Sequence, residues 1–344
     1  MNKKKIFWAL FSLLIAGLSI WAVTAQNKSF SLADFERFVR TSNKFWLAGA
    51  FLCMFGFIWV EGIALIRIAK ALGYPKSKRR GTVYGAADVY FSAITPSATG
   101  GQPASAFFMM KDGMPGTVVT VTLLANLIMY TLALLGLGII FIIFRFDIFL
   151  RFTLLSKILI ISGFFVLGLL AFLFYMLLRH AKFLYSACDK ILSFLEKIHI
   201  LKNGEKKRQR LSTTMSEYKQ CSECLKDKKS VLFEAFIWNL LQRLSQFGVA
   251  FMVFMAAGTE VKDALKIWAM QCFVSLGSNC VPIPGAMGVA DYIMLDAYRQ
   301  ILNHHTATNM ELLCRGISFY GCILISGIIV LCAFIIQKIR SRKC

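Results

Sequence analysis

The sequence predicts an all-α polytopic membrane protein: about six transmembrane helices plus two re-entrant broken-helix hairpins, arranged as an inverted repeat in one domain over 1–344. Three observations predict it. The chain is 57% hydrophobic with a mean hydropathy of +0.63, and its apolar residues fall in runs of about twenty or more. Two further apolar segments are interrupted by Pro- and Gly-rich motifs. Lys and Arg collect on alternate connections. In lipid the backbone must bond internally, so apolar runs of this length are helical, and none alternates as a barrel strand does.

The opening "MNKKKIFWALFSLLIAGLSIWAVTAQNK" has a basic start and an apolar centre. It reads as a retained first helix over 6–25, although Val23-Thr24-Ala25 also fits a signal-peptide cleavage site. The next apolar runs are 45–66, 117–144, 158–178, 231–257 and 312–336. The interrupted segments are 82–110, broken by "PSATGGQPAS" at 96–105, and 264–302, broken by "NCVPIPGAMG" at 279–288.

With the N-terminus inside and each interrupted segment returning to its own side, the inner loops carry 26 Lys and Arg and the outer loops ten. This agrees with the positive-inside rule, and it explains the net charge of +21 without nucleic acid. If just one segment crossed, the basic loops after it, such as 179–230 after the first, would move outside. The resulting topology holds two units of the same order and opposite orientation: span, hairpin, span over 45–144, then again over 231–336. Opposed units of this kind build many transporters. The connector 179–230 is basic and partly helical. It reads either as a surface helix attracted to anionic lipid or as an ordinary linker.

Broken helices at membrane depth occur where the backbone is buried in protein or lines a wet cavity. Each break frees N–H groups at a half-helix start, which attract anions. Gly100 and Gly101 allow close approach to the backbone, and Ser97, Thr99 and Gln102 add hydrogen-bonding side chains. Pro284, Gly285 and Gly288, with Pro282, repeat this chemistry in the second hairpin. Tight helix packing by small residues is the competing explanation for each motif, and two motifs in matching places favour a substrate path.

Arg243 sits deep in an apolar run, where burying a charge costs about 3 kcal/mol, so an anionic partner or substrate is expected there. Asp88 and Asp291 lie in the two hairpins. Arg315 lies one turn inside the last run and is placed to pair with Asp291. Glu61 lies nearer the inner end of its helix, where it either snorkels or joins the site. Each acid is read as a structural ion-pair member or as a substrate contact.

Other chemistries find little support. The four histidines fall outside the runs, and there is no nucleophile elbow, no Ser-His-Asp order and no phosphate-binding P-loop. Cys221 and Cys224 form a C-x-x-C without a second ligand pair, so neither metal nor cofactor is expected. Most of the ten cysteines lie in apolar segments and act there as small hydrophobes.

"YFSAITPSATGGQPASAFFMMKDGMP" resembles the first signature of the lysylphosphatidylglycerol synthase/flippase membrane-domain family, also known as the multiple peptide resistance factor family. "PIPGAMGVADYIML" resembles the second, usually P-x-P-G-G-x-G-x-x-E, with Ala286 in place of Gly and Asp291 in place of Glu. The resemblance covers essentially the whole chain. It implies a flippase-like module for an aminoacylated or anionic phospholipid such as lysyl-phosphatidylglycerol, acting on membrane surface charge and cationic-peptide resistance. The family's aminoacyl-tRNA-dependent synthesis belongs to a cytosolic domain with no counterpart in these residues. A lysyltransferase and a scaffold for a separate synthase are the alternatives. The implied setting is the bacterial inner membrane with both termini cytoplasmic. The implied partners are phospholipid and possible second copies of the chain or a separate synthase, with tRNA only on the synthase reading.

Overall fold

The structure, a computed structural model, describes residues 32–95, 98–179, 204–279, 281, 283–286 and 288–340. The expected first helix at 6–25, Ser97 and the first part of the connector lie outside these residues. The described chain is helical and contains no strand. In order, the helices are α1 (Leu32–Thr41), α2 (Lys44–Ala71), α3 (Lys78–Ile94), α4 (Gly101–Lys111), α5 (Gly116–Phe144), α6 (Phe146–Arg151), α7 (Leu154–Arg179), α8 (Gly204–Lys226), α9 (Lys229–Ala256), α10 (Val261–Ser278), α11 (Val289–Tyr298), α12 (His304–Arg315) and α13 (Cys322–Arg340). A π-helical turn, Gly316–Gly321, joins the last two into one rod.

The helices start where the sequence supplies caps. The Asn43 side chain accepts the Phe45 N–H at 2.9 Å, and Asn303 accepts that of Thr306 at 2.9 Å. Pro115 precedes α5, where its missing N–H costs nothing.

Among the described residues, four helical stretches are long and apolar enough to cross a membrane: Lys44–Ala71, Gly116–Phe144, Leu154–Arg179 and His304–Ile336. α9 is as long as α2 but falls outside this set, because Asn239, Gln242, Arg243 and Gln246 lower its hydropathy. The outer faces of α5, α7 and α13 expose large apolar side chains, among them Ile143, Phe165, Leu169, Leu324 and Ile328. Such faces suit lipid rather than water.

α2 is the central strut. It packs along α9, and almost every side chain from Phe57 to Ala69 is buried. α3 approaches it very closely: a Cβ on Gly62 would stand 2.2 Å from the Gly81 carbonyl oxygen, and one on Gly85 2.6 Å from that of Ile58. Small residues let the two backbones touch.

Both interrupted segments fold as antiparallel helical hairpins. In the first, α3 and α4 are tied at their open end by Asp112, whose carboxylate accepts the Tyr84 hydroxyl at 2.5 Å and pairs with Arg80 at 3.3 Å. At the closed end, the Gln102 amide donates to Asp88 at 3.2 Å. In the second, α10 and α11 are joined where the Gln271 amide donates to the Tyr298 hydroxyl at 2.7 Å. Asp296 on α11 also accepts both the N–H and the hydroxyl of Thr153, each at 2.9 Å, which fixes this hairpin to the start of α7.

The helical part of the connector, α8, docks through Tyr218, whose hydroxyl donates to the Leu177 carbonyl at 2.9 Å. Burial pushes this phenol up to about 12, so it keeps its proton and remains a donor.

Candidate functional site

The tip of the second hairpin, the turn Pro284–Ala286, packs against α3 of the first. Behind this meeting of tips lies a cavity of about 800 Å³, walled by α2, α5, α7, α9 and both hairpins. Among the sequence candidates, Glu61, Asp88, Thr99, Gln102, Arg243, Gly285 and Arg315 line it.

The tips are built from strained and small residues. Ala98 and Ala286 both adopt the left-handed region, with φ of 53° and 49°, beside Gly285 at 61° and Gly288 at 79°. Gly101 is buried against α3, where a Cβ would stand 2.2 Å from an Asp88 carboxylate oxygen. Gly100 donates its N–H to the Thr95 hydroxyl at 2.9 Å. The Gly100 donor is therefore already satisfied, and the Gly288 N–H is likewise occupied by the Asp291 carboxylate at 2.9 Å. Those two groups brace the tips rather than wait for a ligand.

Arg315 and Asp291 form a buried ion pair at 2.6 Å, and Arg315 also donates to the Gly285 carbonyl at 3.1 Å. The pairing expected from sequence is present. Its effect is to tie the second tip to α12, and it leaves Asp291 outside the cavity lining.

Arg243 is in the opposite situation. It is 1% exposed and lines the cavity, with its guanidinium 3.8 Å from the Tyr130 ring centroid and 5.4 Å from that of Phe57. One nitrogen donates to the Gln246 amide oxygen at 2.6 Å, while Nε and Nη2 are buried with no hydrogen-bond partner. Buried donors of this kind are costly unless something accepts from them.

Glu61 does not snorkel. It is 3% exposed and accepts from the Asn126 amide at 2.7 Å and from the Gln242 amide. Its helix is buried on almost every face at this level, and the carboxylate turns into the cavity. The Asp88 carboxyl lies within hydrogen-bonding reach of it.

Several residues of this network escaped sequence reading. Asn239, Gln242 and Gln246 flank Arg243 at helical spacing on one face of α9, a polar stripe that a helical wheel shows. Asn126 and Tyr130 lie one turn apart on α5, and no charge marks them. Glu311, fully buried with both carboxylate oxygens unpartnered, sits just before the last apolar run and reads there as a loop acid.

No group of three or more metal-ligating side chains occurs among the described residues. The arrangement instead offers unpartnered cationic donors and a carboxyl-lined edge within one cavity. No curated protein matches the sequence. Residues 9–326 match the family described as the lysylphosphatidylglycerol synthase TM region, which spans both hairpins and every wall of the cavity, and the chain belongs to that family.

Proposed function

We propose that the chain is a lipid translocase for an aminoacylated or anionic phospholipid such as lysyl-phosphatidylglycerol, working in a bacterial inner membrane. The headgroup enters the cavity between the hairpin tips while the acyl chains stay in lipid. Its phosphate accepts from Arg243, and its amine, where present, meets Asp88 and Glu61. On this reading the two hairpins are re-entrant, the first opening to the cytoplasm and the second to the outside. The units 45–144 and 231–336 then form the inverted repeat around the site.

One observation carries the reading: a buried arginine with two unpartnered donors lining a cavity large enough for a headgroup. An oxyanion supplies the missing acceptors, and a phosphate suits the planar guanidinium. Asp291 and Arg315 form an ion pair and serve by holding the second tip in place.

Arg243→Ala, reconstituted in vesicles with lysyl-phosphatidylglycerol, loses headgroup translocation while the helical circular dichroism signal and detergent-solution elution remain those of the parent. Normal translocation by this variant rules the assignment out. New aminoacyl lipid made on expression in a host that lacks it would instead favour a lysyltransferase. Co-purification of a separate synthase, without translocation by the isolated chain, would favour a scaffold.

A further inference from the structure

We propose that Glu61 and Asp88 jointly hold one proton in the empty cavity and release it when the ammonium groups of an aminoacyl headgroup arrive. The proposal rests on the lipid reading above and adds the ion that is exchanged. The two carboxyl groups come from different helices, α2 and α3, and lie within hydrogen-bonding reach of one another beside the cavity. Their other hydrogen-bond partners are uncharged: the Asn126 and Gln242 amides on Glu61, and the Gln102 amide and Ser92 hydroxyl on Asp88. Two carboxylates within hydrogen-bonding reach in a poorly solvated site repel strongly, and a shared proton removes the repulsion.

Charge balance fixes the direction of exchange. Two cations line the cavity, and Arg315 belongs to a separate group with Asp291 and Glu311, of which only Arg315 reaches the cavity lining. Arg243 therefore balances one of the two carboxylates, and the second is neutral when it carries the proton. Tyr130 and Cys272, the other titratable groups facing Arg243, carry no charge at neutral pH. A lysyl-phosphatidylglycerol headgroup brings one phosphate and two ammonium groups. With the phosphate on Arg243, the two ammoniums are balanced only if both carboxyls are ionised, so the proton leaves through the cavity water. Phosphatidylglycerol brings the phosphate alone. Its charge neutralises Arg243, and the remaining carboxylate then takes up a proton. Buried sites tolerate net charge poorly, so the two lipids move protons in opposite directions.

The experiment uses the purified full chain in weakly buffered detergent at pH 7, with a pH-indicating dye and binding followed in parallel. Lysyl-phosphatidylglycerol releases about one proton per lipid bound, and phosphatidylglycerol takes protons up. Glu61→Gln and Asp88→Asn each abolish the release. Because the comparison of two lipids on the unaltered chain decides the matter, it stands even if a variant fails to fold. Binding of the lysyl lipid without proton release overturns this proposal and leaves the lipid reading intact. Release of equal size with both lipids also overturns it. Failure of both lipids to bind overturns the lipid reading and the exchange together.

Discussion

Two arginines beside the cavity illustrate what a single residue contributes. Arg315 has its carboxylate, Asp291, at 2.6 Å, and the pair holds the second tip against α12. Asp291→Asn leaves a buried cation uncompensated and costs about 3–5 kcal/mol, read as loss of thermal stability in detergent. The double variant Asp291→Asn with Arg315→Met recovers most of that loss. Ala286 adopts a φ of 49°, in the region where a Cβ crowds its own backbone. Ala286→Gly, which restores the residue usual in the second signature, relieves this strain and raises stability by up to about 1 kcal/mol, net of the extra chain entropy. Ala290→Gly, four residues on inside α11, loses about 1 kcal/mol instead, and thermal unfolding of the two separates strain from a general glycine effect.

At the level of elements, the first hairpin depends on contact between α2 and α3. Gly62→Ala drives a methyl group into the Gly81 carbonyl oxygen, where a Cβ has only 2.2 Å. Backbone cannot rotate away, so the helices must separate, at a cost of about 1–3 kcal/mol. Gly136→Ala on α5, with no heavy atom within 4 Å of the added Cβ, is neutral or gains up to about 1 kcal/mol. Comparing the melting temperatures of these two variants checks the contact. The hairpin ends are held by different chemistry from their middles. Asp112 gathers Tyr84 and Arg80 at one open end, and Asp296 gathers Thr153 at the base of the other hairpin.

For the whole molecule, the proposed topology puts the open ends of the two hairpins on opposite sides of the membrane. Lys78 and Lys262 are both exposed at those ends. In a background lacking the ten native cysteines, Lys78→Cys reacts with an impermeant thiol reagent only from the cytoplasmic side, and Lys262→Cys only from outside. Labelling of both from one side overturns the inverted arrangement.

The amino-acid sequence by itself determined the class of the molecule and where its helices break. Long apolar runs have one solution in lipid, and Pro and Gly at 96–105 and 279–288 stop a helix whatever surrounds them. It also marked Arg243, because a lone charge in an apolar run stands out against its neighbours. Most partnerships were decided only by the tertiary structure. Glu61 looks like an isolated charge near a helix end, yet it is held by Asn126 and Gln242, and Arg315, whose Asp291 partner the sequence suggested, also clamps a hairpin tip through the Gly285 carbonyl. Asn126, Tyr130 and Glu311 gave no local sign of their burial, since burial depends on which faces of distant helices meet. The cavity likewise belongs to no single segment. It exists because two hairpins far apart in sequence close against a common wall, and the charges left unpaired there are set by that packing.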